Sequence, residues 1–317
     1  MKVLTIGPND AGQRLDKFLT KTLKHLPMSM LYKGIRTKKI KVNRKRAENN
    51  QMLSEGDTLQ LFIAEEFFEG GEKSGTSEAL SRVRTNLDIV YEDENILLAD
   101  KKQGLLVHPD KNEYRDTLIG RIQHYLYNKG EYKPDEENSF KPALANRIDR
   151  NTGGIVIAAK NAEALRVMNE KIRDGQTSKF YLCAVHGILR KKSDTLHAWL
   201  KKDSATNTVK IYEASNKPRD AKSIGTKYKV LAEKDGNSLL EVELLTGRTH
   251  QIRVHMASIG HPLLGDPVYG GDGTRFEKCH RSLVSGQCLH AGELHFCHPT
   301  TGEAVDVLCP MPPEMRR

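Results

Sequence analysis

Residues 145–161, "ANRIDRNTGGIVIAAKN", pass from a charged turn straight into the apolar run Ile155-Val156-Ile157-Ala158. A short, β-branched apolar run reads as a core strand, so the chain must build an interior around it. The turn ahead of it holds Asp149 between Arg147 and Arg150, followed by Thr152-Gly153-Gly154. An ordinary ion-paired turn entering a strand accounts for this pattern. So does an acid held ionised to do chemistry, and the stretch alone leaves both open.

The rest of the chain divides by texture. "RLDKFLTKTL" sets Leu15, Phe18, Leu19 and Leu23 at helical spacing with lysines opposite. Ser29 is placed to cap a second short helix holding Met30, Leu31 and Ile35. "KIKVN" and "TLQLFI" alternate as strands on either side of the turn "SEGD". Residues 66–86, rich in Gly, Ser, Thr and charge, read as a linker. Beyond residue 87, short apolar strands are broken by acidic and glycine turns. "AEALRVMNEKIRDG" is an amphipathic helix closed by Gly175, and "KDGN" marks a hairpin. The expectation is a small N-terminal α/β module over residues 1–65 and a larger domain over 87–317. The larger domain is expected to be α+β, with a mixed, largely antiparallel sheet.

Charge is unevenly placed in this 317-residue chain of net charge +9. Residues 1–63 hold thirteen Lys or Arg against five Asp or Glu, and "KGIRTKKIKVNRKR", residues 33–46, has eight basic and no acidic side chains. Such a run suits a solvated face or a polyanion partner. No apolar stretch approaches the ~18 to 20 residues of a membrane span, and "MKVLTIGPND" lacks the apolar core of a secretion signal. Cysteines 183, 279, 288, 297 and 309 form no CxxC pair and fit reduced thiols. A cytoplasmic monomer is expected. The tail "CHRSLVSGQCLHAGELHFCH", residues 279–298, gathers three Cys and four His but offers no CxxC or HxxxH unit, so no metal is expected.

Two resemblances give these features a function. Residues 12–63, with "GQRLDKFL", "SMLYKGIR", "IKVN" and "LSEGDTLQL", resemble an RNA-binding module of small-subunit ribosomal-protein type. The resemblance implies RNA phosphate contacts from Lys33, Arg36, Lys38, Lys39, Arg44 and Arg46. Asn146-Arg147-Ile148-Asp149-Arg150-Asn151-Thr152-Gly153-Gly154 resembles the hallmark of the RluA family of pseudouridine synthases. The likeness extends through "GLLVHP" (104–109), "KFY" (179–181), "GRTHQIRVH" (247–255), "GHPLLGDPVYG" (260–270) and "LHAGELHFCHPTTGE" (289–303). Two positions depart: the family has His where this chain has Asn146, and Ser where it has Gly153.

The resemblance implies a catalytic domain with helices and loops around a central cleft. It also implies isomerisation of uridine to pseudouridine in RNA, most readily large-subunit ribosomal RNA. The glycosidic carbon–nitrogen bond breaks, the uracil turns within the site, and ring carbon 5 rejoins the sugar. Nothing is oxidised or added, so no cofactor is called for. Asp149 is the implied nucleophile, Arg248 its ion-pair partner, and Tyr181 the ring that stacks on uracil and assists proton removal. Arg147 is implied to hold RNA around the position vacated by the flipped base, and Arg150 to meet phosphate. Lys179, Gln251 and Arg253 are candidates for the binding surface. The competing readings are a non-catalytic RNA-binding or ribosome-assembly protein and a synthase acting on tRNA. A hydrolase would want a second acid, and none stands in the motif.

Overall fold

The computed structural model describes residues 1–68, 86–111, 113, 116–203, 208–270 and 286–315. Most of the linker read at 66–86, and Cys279 and His280 of the Cys/His-rich tail, lie outside these residues.

The basic N-terminal part folds around its own core. Helix α1 (Leu15–Thr22) turns Leu15, Phe18 and Leu19 inward, and Leu23 follows them into the interior. Helix α2 (Met28–Arg36) buries Leu31 and Ile35 and leaves Met30 exposed. Ser29 is not its cap. Pro27 takes that position with extended backbone (φ −58°, ψ 142°), so the helix starts at Met28 and Ser29 sits inside the first turn. A fixed φ and a missing N–H cost nothing where the helix has no acceptor for that N–H. Four short strands, β1 (Lys2–Thr5), β2 (Ile40–Val42), β3 (Lys45–Arg46) and β4 (Thr58–Leu61), form an antiparallel sheet in the order β1-β4-β2-β3. Asn43 and Arg44 adopt positive φ to turn β2 into β3.

The larger part is built on strand β8 (Gly153–Ala159), all seven residues of which are buried. Its side chains alternate into two cores. Val156 and Ala158 join Leu97 and Ala99 of β6 (Ile96–Lys101) against helix α3 (Leu118–Asn128), which contributes Leu118, Ile122 and Leu126. Ile155, Ile157 and Ala159 join Ile96 and Leu98 against helix α4 (Ala162–Arg173), which contributes Ala164 and Met168. A strand covered by helices on both faces has no solvent side, which is why its sequence does not alternate. Helix α3 was not anticipated from the sequence. It is capped by Thr117, which accepts from the Gly120 amide at 3.3 Å. Helix α4 is capped by Asn161, and Gly175 (φ +72°) ends it as the sequence suggests.

Around β8 runs an eleven-stranded sheet. β5 (Ile89–Glu92) lies outside β6. On the other side of β8 come β14 (Leu289–Cys297), β9 (Thr177–His186), β13 (Asn237–Leu244), β12 (Lys222–Lys234), β10 (Ser193–Asp203) and β11 (Thr208–Tyr212). β7 (Ala143–Leu144) pairs with β8, and β15 (Ala304–Leu308) with β14. Asp235 and Gly236, both at positive φ, make the turn of the β12–β13 hairpin. Every ladder among the described strands is antiparallel except β8–β14, which runs parallel through Gly153–His290 and Gly154–Ala291. The architecture is therefore α+β with a mixed, largely antiparallel sheet. No helix of the described residues is long and apolar enough to cross a membrane.

Gly154 makes that parallel contact possible. Its φ is +108°, and a Cβ there would fall 2.2 Å from the Ala291 carbonyl oxygen. Gly154→Ala is expected to prevent native folding or to separate β8 from β14, read as loss of the cooperative thermal transition.

Candidate active site

Asp149 lies in the turn between β7 and β8, and backbone contacts hold that turn on both sides. Ala145 donates to the Ile157 carbonyl at 2.9 Å, and the Asn146 side-chain oxygen accepts from the Ile157 amide at 2.8 Å. The departure at Asn146 thus leaves a side chain that still fastens the turn to β8. On the other side, Gly104 donates to the Arg150 carbonyl at 2.9 Å, and Arg150 Nε donates to the Gly104 carbonyl at 2.9 Å. Thr152, itself buried, donates its amide to the Asp149 carbonyl at 3.1 Å. At Gly153 a Cβ would stand 3.2 Å from His290 Nδ1 and 3.4 Å from the Lys101 carbonyl, so the glycine leaves this crowded point unstrained.

The ion-pair partner of Asp149 is Arg253, not Arg248. Arg253 Nη1 donates to Asp149 Oδ2 at 3.2 Å, while its Nε and Nη2 donate to the two oxygens of Asp266 at 2.7 and 2.8 Å. Asp266 Oδ1 also accepts from the amides of Val268 and Tyr269, at 2.9 and 3.1 Å. Burial works against the charge of both partners. Their mutual contact overrides it, raising the Arg253 pKa and lowering that of Asp266. Helix α5 (Gln251–Ser258) explains the choice of arginine. It opens after His250, which takes the left-handed conformation (φ 53°). Its first turn carries Arg253 inward, and Arg248 stays in the exposed turn before it, giving its amide to Gln251 Oε1 at 3.0 Å. Gln251 is buried and saturated, donating to the Gly225 carbonyl and Thr226 Oγ1. Neither Gln251 nor Arg253 therefore stands on an RNA-facing surface.

Three further groups surround the carboxylate. His250 Nε2 lies 3.8 Å from Asp149 Oδ1. Its Nδ1 is 3.0 Å from the Tyr269 hydroxyl, which itself accepts from the Val209 amide at 3.0 Å. In the tautomer where the hydroxyl donates to Nδ1, Nε2–H faces Asp149. Burial lowers the His250 pKa, with Asp149 opposing and Arg253 reinforcing the shift, which favours the neutral ring. Tyr181, buried on β9, has its phenol pKa pushed up by burial and then by the Asp149 charge, so it remains a neutral O–H. Lys101, fully buried at the end of β6, spends its ammonium on three carbonyls: Lys102 at 3.0 Å, Leu105 at 2.8 Å and Arg150 at 2.8 Å.

The structure brings Asp149, Tyr181, Arg253 and His250 together, with Lys101 bracing the loop beneath. Arg147 and Arg150 are exposed beside them, and the Arg147 charge adds to burial in lowering the His108 pKa. Lys33, Arg36, Lys38, Lys39, Arg44 and Arg46 are all exposed on the N-terminal part. A cavity of about 760 Å³ lined by Glu92, Asp93, Lys160 and Asp306 shares no residue with the site, and Glu92 and Lys160 are paired to each other across it. Among the described residues no group of three His, Cys, Asp or Glu side chains could hold a metal ion.

Comparison with known proteins accords with this geometry. The model of the RNA pseudouridylate synthase family matches residues 95–258. The chain belongs to that family. It is 32% identical to the RNA pseudouridine synthase YlyB of Bacillus subtilis, over 98% of this chain and 95% of the relative. Identity is also 32% to the ribosomal large subunit pseudouridine synthase C of Escherichia coli, over 100% of this chain and 95% of that one. The solved structure of human RNA pseudouridylate synthase domain containing 1 superposes with a TM-score of 0.56 at 25% identity, covering 71% of this chain and 84% of that chain. The chain is thus an RNA pseudouridine synthase of the RluA type, and its reaction is uridine isomerisation in RNA.

Lys101 was missed in the sequence because "ADKKQG" looks like a charged turn. Burial pushes its pKa down to about 7, against the pull of Asp149. In the unfolded chain the lysine keeps its proton to 10.5, so between these values the unfolded state binds more protons and wild-type stability rises with pH. Lys101→Met is expected to lower stability by about 1–3 kcal/mol, because three buried carbonyls lose their donor. It should also flatten the rise between pH 7 and 9, measured by denaturant unfolding.

Proposed function

We propose that this synthase isomerises uridines of large-subunit ribosomal RNA, with Asp149 as the nucleophile and the basic N-terminal unit docking the RNA. The observation that carries the reading is the fixed guanidinium of Arg253: two of its donors are spent on Asp266 and one is aimed at Asp149. A carboxylate held that way is oriented without being enclosed, since 26% of its side chain remains exposed. The ribosomal target is supported by the name of the Escherichia coli relative and by the exposed basic run at residues 33–46.

In the proposed reaction the glycosidic bond breaks, with the Asp149 carboxylate either adding to the sugar's carbon 1 or taking the carbon-2 proton on the way to a glycal. The freed uracil turns over the Tyr181 ring, and carbon 5 bonds to carbon 1 of the sugar as the aspartyl bond breaks or, on the glycal route, as carbon 2 takes its proton back from Asp149. The carbon-5 proton then leaves and N1 gains one, so the product is an isomer of uridine. Both routes need one carboxylate in place and a base taken out of its stack. Arg147 and Arg150, exposed on either side of Asp149, are suited to hold the RNA opened by that extrusion.

Chemical mapping of pseudouridine in unmodified large-subunit RNA tests the assignment. Asp149→Ala is expected to give no product. Arg253→Lys, which cannot span Asp266 and Asp149, should lower kcat by about 10- to 100-fold. Arg248→Ala should raise KM with kcat nearly unchanged, and a collapse of kcat there would restore Arg248 to the chemistry. Full activity of Asp149→Ala would overturn the mechanism, and wild-type product in tRNA alone would move the substrate.

RNA affinity across a salt series tests the N-terminal surface. Reversing the charge of Lys38, Lys39 and Arg44 should weaken binding most at low salt. The slope of log K against log salt should flatten by about 0.9 for each duplex phosphate that the variant no longer neutralises. Superimposable curves would reduce the basic run to a solvated face.

A further inference from the structure

The N-terminal unit is fastened to the catalytic body by side chains that the reaction does not use. Asp10 is buried between the two, with Oδ1 accepting from Ser139 Oγ at 2.6 Å and Oδ2 from Asn138 Nδ2 at 2.8 Å. Asn138 Nδ2 also donates to the Thr5 carbonyl at 3.0 Å, and Gln13 Nε2 to Ser139 Oγ at 3.2 Å. Asn9 bridges outward with both ends of its amide. Its Nδ2 donates to Glu137 Oε1 at 2.7 Å, and its Oδ1 accepts from the Ala162 amide at 3.1 Å.

The Ala162 contact is informative because Ala162 opens helix α4. The first amides of a helix have no acceptor within it. Here Asn161 serves Ala164, and the N-terminal unit itself serves Ala162. On the next turn Arg166 Nη2 reaches the Ala11 carbonyl at 3.2 Å, and its guanidinium lies 2.9 Å from where a Cβ on Gly12 would stand. Gly12 is also at φ +70°, a conformation that favours glycine at this boundary. A unit carried on a loose tether would leave Asp10 and the α4 amide to water. This one satisfies both across the boundary.

The geometry points to a docked N-terminal unit that acts with the catalytic site as one RNA-reading surface, with Asp10 a specificity-determining positioning residue. The inference rests on the proposed RNA reading of residues 33–46 and deepens it. The preferred substrate is a folded RNA that presents a helical element at a set distance from the target uridine, rather than any RNA holding that uridine. A fixed spacing raises the effective concentration of the second contact only for RNAs that match it.

Two variants test this, Asp10→Ala and the double variant Asn138→Ala/Ser139→Ala, whose two residues lie on a loop outside the hydrophobic cores. Both are compared with wild type on large-subunit RNA and on a short stem–loop carrying only the modified uridine. Hydrogen exchange at the Ala162 amide reports docking without any RNA. Docking predicts faster exchange at Ala162 in both variants. It also predicts kcat/KM on the long RNA about tenfold lower, through KM, with the stem–loop rate unchanged. Should Asp10→Ala fail to fold, the double variant carries the same readouts. Unchanged exchange at Ala162, or an equal loss on both RNAs, overturns the inference. If wild type modifies neither RNA, the ribosomal reading fails, and Ala162 exchange still decides whether the units are docked.

Discussion

The guanidinium of Arg253 is the interaction on which the site depends. A cation shared by two carboxylates could lean toward either, and the geometry here prevents that. Asp266 takes two of its donors and is itself fixed by the amides of Val268 and Tyr269, so the fork cannot rotate. Asp149 receives a single hydrogen bond from a group already committed elsewhere. One guanidinium divided between two acids orients Asp149 through one oxygen while the other lies 3.8 Å from His250 Nε2. A lysine could supply the charge but not the three directed donors.

A fixed cation is useful only if the carboxylate is equally fixed, and the turn that carries Asp149 is held from below by Lys101. Its three carbonyl acceptors come from the strand end, the following loop and the residue after Asp149. Burying an ammonium is costly, and the lowered Lys101 pKa shows that the three hydrogen bonds offset this cost only in part. What the lysine contributes is to tie together three backbone segments that would otherwise present unpaired carbonyls. The same crowding accounts for Gly153 and Gly154, where parallel pairing with β14 brings backbone within reach of any added carbon. The apolar run of β8 then anchors the assembly between two cores, so the turn cannot shift without moving a strand that has no solvent face.

Local rules made much of this legible. The core strand, the capped helix α4 and the Asp-Gly hairpin follow from short-range pattern, and the alternation of strands with few helices pointed to the fold class. What escaped depended on distant contacts. Arg248 and Arg253 stand in one motif, and which of them meets Asp149 is set by where α5 begins. That start follows the left-handed turn at His250, a residue with no glycine to signal it. Helix α3 is a different case: Leu118, Ile119, Ile122 and Leu126 recur at helical spacing behind the cap Thr117, so its pattern was local and legible. Pro27 displaced Ser29 as the cap because either residue fits a helix start, and only the preceding chain path decides between them.

The polar boundary between the two units is the least legible element, for a physical reason. Asn9, Asp10, Asn138 and Ser139 have the composition of solvent-exposed turns, and nothing in their periodicity marks Asp10 as buried or the other three as half-buried. Hydrophobic contacts announce themselves in sequence because apolar residues have one preferred environment. Hydrogen-bonding residues are satisfied equally by water or by each other, so only the fold tells which. Such an interface sets orientation through directed bonds, and a set orientation is what the proposed spacing between the basic run and Asp149 requires.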